Sequence, residues 1–99
     1  MHNLLTSLGY DFAEQVSDRA GFVIDFAIYI DRSKNQKIAI ETDGANWHTS
    51  VKQKQRDRFR DYKLKKAGWT VIRFGETFTK EEVEDRINAI LHQWQTHPV

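Results

Sequence analysis

The stretch from Phe22 to Ile30, FVIDFAIYI, restricts the fold of this chain more than any other segment. Alternate residues of a β-strand point to opposite faces of its sheet, and both faces of this stretch are apolar except at Asp25. A strand that is apolar on both faces must be covered on both sides. The stretch therefore predicts an interior strand of a sheet with other elements packed on each face.

Three further segments have strand patterns. A polar turn at 31–36 separates Phe22–Ile30 from Lys37–Asp43, so these two strands form an antiparallel hairpin spanning 22–43. The segment 69–74 returns after a helix and is expected to lie parallel to Lys37–Asp43 through a right-handed crossover. Tyr10–Val16 is a shorter candidate strand. The predicted fold class is α/β, with a mixed sheet of about four strands flanked by helices.

Helical signals occur near both ends of the chain and ahead of the last strand. A leucine-rich segment stops near Gly9, a residue type common at helix C-termini. A second helix is predicted from Ser50 to Ala67. Thr79 and Glu82 form a capping box ahead of an amphipathic third helix.

Length and composition predict one globular domain over residues 1–99. The chain has no cysteine, which excludes a disulfide framework and a cysteine zinc site and fits a reducing cytoplasm. It has no apolar run of membrane-spanning length and no signal peptide pattern. We therefore expect a cytoplasmic protein without membrane contact.

Acidic residues gather on one predicted sheet face. Glu41 and Asp43 lie two residues apart in a strand, and the hairpin brings them to the face that carries Asp25. Neighbouring carboxylates repel each other unless a cation or a proton lies between them. Gly44 then permits a turn, and His48 follows within reach of the strand end. This order predicts a divalent-metal site with a candidate general base, although Asp25 alone could instead be a buried aspartate bonded to backbone amides.

The second predicted helix carries a further acid and most of the basic charge. If Leu64 packs on the sheet, Asp57 two turns earlier faces the sheet as well, near the acidic strand end; the alternative is a surface pair between Asp57 and a neighbouring arginine. Eight lysine and arginine residues lie in this segment, opposed there only by Asp57 and Asp61. Such a segment beside an acidic site suits a polyanion held near a metal, although a solvated helix face has the same composition. The candidate phosphate-binding residues are Lys54, Arg56, Arg58 and Arg60.

Three runs resemble the very-short-patch-repair endonuclease branch of the PD-(D/E)XK nucleases, a group that includes repair enzymes and phage homing endonucleases. They are VIDF at 23–26, TDGANWH at 42–48 and RDRFRDYKLKKAGW at 56–69. The resemblance implies a restriction-endonuclease-like core for the α/β sheet, Mg²⁺ as cofactor with Mn²⁺ able to substitute, and double-stranded DNA as substrate.

The resemblance also implies individual roles. Asp25 matches the metal-binding aspartate, Thr42 the residue whose carbonyl binds the metal, His48 the catalytic histidine and Asp57 the second acid. Glu41 and Asp43 match the acidic and third positions of the wider motif, where Asp43 replaces a more usual lysine. The implied catalytic residues are thus Asp25, Glu41, His48 and Asp57, and the implied metal ligands are Asp25, Glu41, Thr42 and Asp43.

The chain departs from this branch in two ways. The family's helical glutamate would fall near or before Met1, with Glu14 as a weak substitute, so we expect a catalytic fragment of a longer protein. The structural zinc site of the repair enzymes is absent, so their mismatch specificity is not implied, and a DNA-recognition domain is expected outside this chain.

The function expected from the sequence is a metal-dependent DNA endonuclease that hydrolyses phosphodiester bonds. One alternative is a catalytically inactive nuclease fold that binds DNA within a larger protein. Another is a metal-binding or structural domain of a larger protein, in which the acids only satisfy hydrogen bonds of the core. Target site, nicking versus double-strand cleavage and oligomeric state leave no signal in the sequence.

Overall fold

The computed structural model of the chain describes residues 1–19, 21–42, 51–75 and 77–96. Seven elements follow one another in it, and together they give the α/β architecture expected from the sequence. They are α1 (His2–Leu8), β1 (Phe12–Ser17), β2 (Val23–Asp31), β3 (Gln36–Glu41), α2 (Val51–Lys66), β4 (Trp69–Arg73) and α3 (Lys80–Thr96).

The four strands form one sheet in the order β1-β2-β3-β4. The pairs β1–β2 and β2–β3 are antiparallel, and Ala27 lies opposite Ala39 in the second pair. The pair β3–β4 is parallel, with Glu41 beside Arg73. The hairpin and the parallel return strand predicted from the sequence are both confirmed.

Strand β1 begins at Phe12 and not at the predicted Tyr10, because the backbone N–H of Tyr10 takes part in the hydrogen bonds that end α1. Gly9 adopts a left-handed conformation with φ of 78°. The backbone N–H groups of Gly9 and Tyr10 then donate to the carbonyls of Thr6 and Leu5, at 3.1 and 3.3 Å. This glycine stop satisfies carbonyls at the end of the helix, so the strand starts at Phe12.

Two clusters of buried side chains cover the sheet. One contains Leu5 of α1 and Val83 and Ile87 of α3, packed with strand residues such as Ile28 and Ile40. The other contains Leu64 of α2 with strand residues that include Ile24, Ala27, Ala39 and Trp69. Leu64 is fully buried, so α2 is held against the sheet through the residue that the sequence pattern selected.

Side chains stabilise the β2–β3 turn and the start of α3 through hydrogen bonds to the backbone. Asp31 accepts hydrogen bonds at one carboxylate oxygen from the backbone N–H groups of Ser33 and Lys34, at 3.0 and 3.2 Å. The Thr79 hydroxyl accepts the backbone N–H of Glu82 at 3.1 Å, which confirms that half of the capping box. Within the residues described, no helix is both long and apolar enough to cross a membrane.

Candidate active site

A cleft of about 260 Å³ opens where the ends of β2 and β3 meet the first half of α2. The sheet contributes Val23, Asp25, Glu41 and Arg73, and α2 contributes Gln53, Asp57 and Arg60. Three acids selected from the sequence therefore share one cleft. Asp57 reaches it because Leu64, two turns later on α2, packs on the same sheet face.

Asp25 bonds to the residue that follows β3. Its Oδ2 atom accepts the backbone N–H of Thr42 at 2.9 Å and lies 3.5 Å from the Thr42 hydroxyl. Continuing the register of Phe26 with Ile40 by one residue puts Asp25 opposite Glu41. Asp25 thus makes the hydrogen bond to a backbone amide that is expected of a structural aspartate. It also lies opposite a second acid, as expected of a metal site.

Glu41 is the buried acid of the cleft, with only 3% of its surface exposed. Its Oε1 atom pairs with Nη2 of Arg60 at 2.5 Å, and the same nitrogen donates to the carbonyl of Val23 at 2.5 Å. Burial raises the pKa of Glu41, and the nearby charge of Asp25 raises it as well. The hydrogen bond and the charge of Arg60 lower that pKa, but desolvation is the larger effect.

The other polar side chains of the cleft are held by partners on α2. Asp57 accepts a hydrogen bond from the Gln53 amide at 3.1 Å. Arg73 donates to both carboxylate oxygens of Asp61, at 2.6 and 3.3 Å, and so joins β4 to α2. This bidentate pair fixes the guanidinium of Arg73 at the wall of the cleft.

The oxygen atoms present suit a hard cation such as Mg²⁺. That ion is commonly bound by one or two carboxylates and keeps several of its waters. Asp25 and Glu41 supply two carboxylates on adjacent strands, and burial raises the pKa of Glu41. No group of three or more acidic, histidine or cysteine side chains with metal-binding spacing occurs among the described residues. The predicted ligand Asp43 and the predicted base His48 lie outside the described residues, so their roles stay predictions.

The predicted phosphate-binding residues separate into two groups. Lys54, Arg56 and Arg58 are exposed on α2. Arg60 instead turns toward the sheet and is bound to Glu41 and to the Val23 carbonyl. A role for any of the four in DNA binding stays a prediction.

Sequence reasoning did not select Gln53 and Arg73, and it offered Glu14 as a substitute for the family's helical glutamate. Arg73 had a detectable signal, since it is the charged residue of the predicted parallel strand and the parallel register puts it beside Glu41. Gln53 had none. Glu14 does not line the cleft; its carboxylate lies 2.8 Å from Nδ1 of His2 on α1.

Comparison with known families gives a match over nearly the whole chain. The model of the family REase_MTES_1575 matches residues 1–93. The chain belongs to this restriction-endonuclease-like family. Members of REase_MTES_1575 fall in a nuclease superfamily, which agrees with the coarse function expected from the sequence. The very-short-patch-repair-like branch stays a prediction, and neither a curated protein nor a solved structure matches the chain significantly.

Proposed function

We propose that this chain is a nuclease domain that hydrolyses phosphodiester bonds of double-stranded DNA with Mg²⁺, and that Mn²⁺ substitutes for it. The observation that supports this best is the opposition of Asp25 and Glu41 in a cleft that also contains an acid from α2. Nuclease-superfamily membership supports the same reaction class. A homing or repair role, with recognition supplied by another domain, is the finer form of the proposal.

In the proposed reaction, Asp25 and Glu41 would hold the cation together with the Thr42 carbonyl and Asp43. A cation bound there would supply charge neutralisation at the phosphate and acidify a water. The Thr42 N–H orients the Asp25 carboxylate through the bond at 2.9 Å. His48 takes the proton from the attacking water, because histidine titrates near neutral pH. Asp57 orients the His48 ring or raises its basicity.

A plasmid-cleavage assay with Mg²⁺, with Mn²⁺ and with chelator tests the proposal. We expect cleavage with either cation and none with chelator. Asp25→Asn and Glu41→Gln should each remove cleavage, whereas Glu81→Gln, which removes an exposed acid of α3, should leave it unchanged.

Salt-sensitive DNA binding without cleavage in any cation would support the alternative of an inactive nuclease fold that binds DNA. Absence of both cation binding and DNA binding would support a structural domain. Cleavage that persists in chelator would contradict the proposed dependence on a metal.

A further inference from the structure

Glu41 needs a positively charged partner whenever its carboxylate is ionised. Its side chain is 4% exposed, and an unpaired buried charge is strongly unfavourable. Within the described part of the chain, Arg60 makes the ion pair to it, at 2.5 Å. Arg60 thus lies against the carboxylate that the proposed function gives to a divalent cation.

Arg60 and Arg73 are held differently, although both line the cleft. Arg73 is bound through two of its nitrogens to both carboxylate oxygens of Asp61, which lies on the neighbouring helix. Arg60 uses a single nitrogen, Nη2, for both Glu41 and the Val23 carbonyl. Because a guanidinium carries five N–H donors, the other nitrogens of Arg60 have N–H groups that can bind another ligand.

Cation binding would change the net charge of the cleft, and this change favours a new partner for Arg60. Among the described residues, three carboxylates and two guanidiniums line the cleft, and the guanidinium of Arg73 is already paired with Asp61. The three carboxylates, when ionised, then face the single remaining positive charge of Arg60, which leaves an excess of two negative charges. A divalent cation cancels that excess, so the cleft then no longer repels a phosphate. The same cation supplies Glu41 with a counter-ion, which makes Arg60 redundant at that carboxylate.

We infer that Arg60 is an exchangeable counter-ion, which neutralises Glu41 before cation binding and transfers to a phosphate of the DNA once a cation lies between Asp25 and Glu41. This inference rests on the proposed metal-dependent function and adds a residue that couples cation binding to substrate binding. Arginine suits the second role because its fork binds two phosphate oxygens at once. Arg60 would therefore be a phosphate ligand of the cation-loaded protein only.

Nuclear magnetic resonance of the arginine side chains tests the exchange directly. Hydrogen-bonded guanidiniums rotate slowly, so Arg60 and Arg73 should both give resolved Nη–H signals without cation. Titration with Mg²⁺ should collapse the Arg60 signals and leave those of Arg73, which is the internal control. The backbone N–H of Thr42 reports cation binding, because it is bonded to Asp25.

Thermal unfolding gives a second measurement. Arg60→Gln should lower Tm without cation, because Glu41 loses its partner, and saturating Mg²⁺ should remove most of that deficit. Arg86→Gln is the matched control, and its deficit should persist in Mg²⁺, because Arg86 bonds to the backbone carbonyl of Arg73 and does not line the cleft.

Two results would overturn the inference. If Mg²⁺ shifts the Thr42 signal but leaves the Arg60 signals and the Arg60→Gln deficit unchanged, Arg60 is a permanent structural partner of Glu41, and the proposed function is unaffected. If saturating Mg²⁺ shifts no signal of the cleft, the exchange and the proposed cation dependence are both wrong.

Discussion

The carboxylate of Asp25 accepts the backbone N–H of Thr42 at 2.9 Å, which links β2 to the residue that leaves β3. Two roles meet in this contact. A backbone amide satisfies the aspartate within the fold, and the same amide fixes the carboxylate beside Glu41.

Asp25→Asn should bind Mn²⁺ more weakly than the parent protein while keeping its fold. Asparagine retains an oxygen that can accept the Thr42 N–H but loses the negative charge that holds a cation. Isothermal titration calorimetry measures the affinity, and circular dichroism checks the fold. Equal Mn²⁺ affinity of the two proteins would remove Asp25 from the proposed ligand set.

His48→Ala should remove most cleavage yet leave cation and DNA binding nearly intact, because a general base acts in the transition state. The expected loss of rate is about 10²–10⁴-fold, and the limb of the pH–rate profile near neutrality should disappear. Arg58→Ala, on the exposed face of α2, should instead weaken DNA binding and reduce its salt dependence. Full activity of His48→Ala would show that the base lies elsewhere, with Glu41 and Asp43 the next candidates.

Leu64→Ala should destabilise the protein by about 2–5 kcal/mol, because it removes a fully buried side chain that holds α2 on the sheet. Phe59→Ala on the same helix is the control. Phe59 is 57% exposed, so its loss should cost clearly less. Chemical denaturation of both variants measures the free energy of unfolding, and equal losses would mean that Leu64 does not anchor the helix.

The pair of Asp61 and Arg73 should stabilise the fold by about 1 kcal/mol or less, since both side chains are partly exposed. A double-mutant cycle with Asp61→Asn and Arg73→Gln gives the coupling energy. High salt should weaken the coupling, because both side chains are partly exposed and their charges are screened. A coupling indistinguishable from zero would show that the pair does not fasten β4 to α2.

Asp31 should make the free energy of unfolding depend on pH in the acidic range. Hydrogen bonds from Ser33 and Lys34 lower its pKa in the folded protein. The stability that these bonds provide is therefore complete above the pKa of the unfolded chain and is lost as the pH falls through the lower, folded value. Asp31→Asn should reduce stability at neutral pH and have less effect in acid, as measured by thermal unfolding across pH. An unchanged difference between the two proteins at all pH values would contradict this linkage.

The sequence by itself determined the strands, their hairpin, the parallel return and the acids that meet in one cleft. Period-2 and helical patterns are local properties of the sequence. The two-turn spacing between Asp57 and Leu64 was therefore enough to predict which side of α2 faces the sheet. The roles of Asp43 and His48 rest on sequence alone, because these residues lie outside those described.

Only the tertiary structure decided the partners of the charged side chains. Arg60 resembles the exposed basic residues around it in sequence, yet it binds Glu41, which lies 19 positions away in the chain. Arg73 and Asp61 likewise find each other through the packing of β4 against α2. Ion pairs of this kind depend on which long side chains converge after the helix docks, and burial of Glu41 then makes its pairing energetically important. No local pattern contains that information.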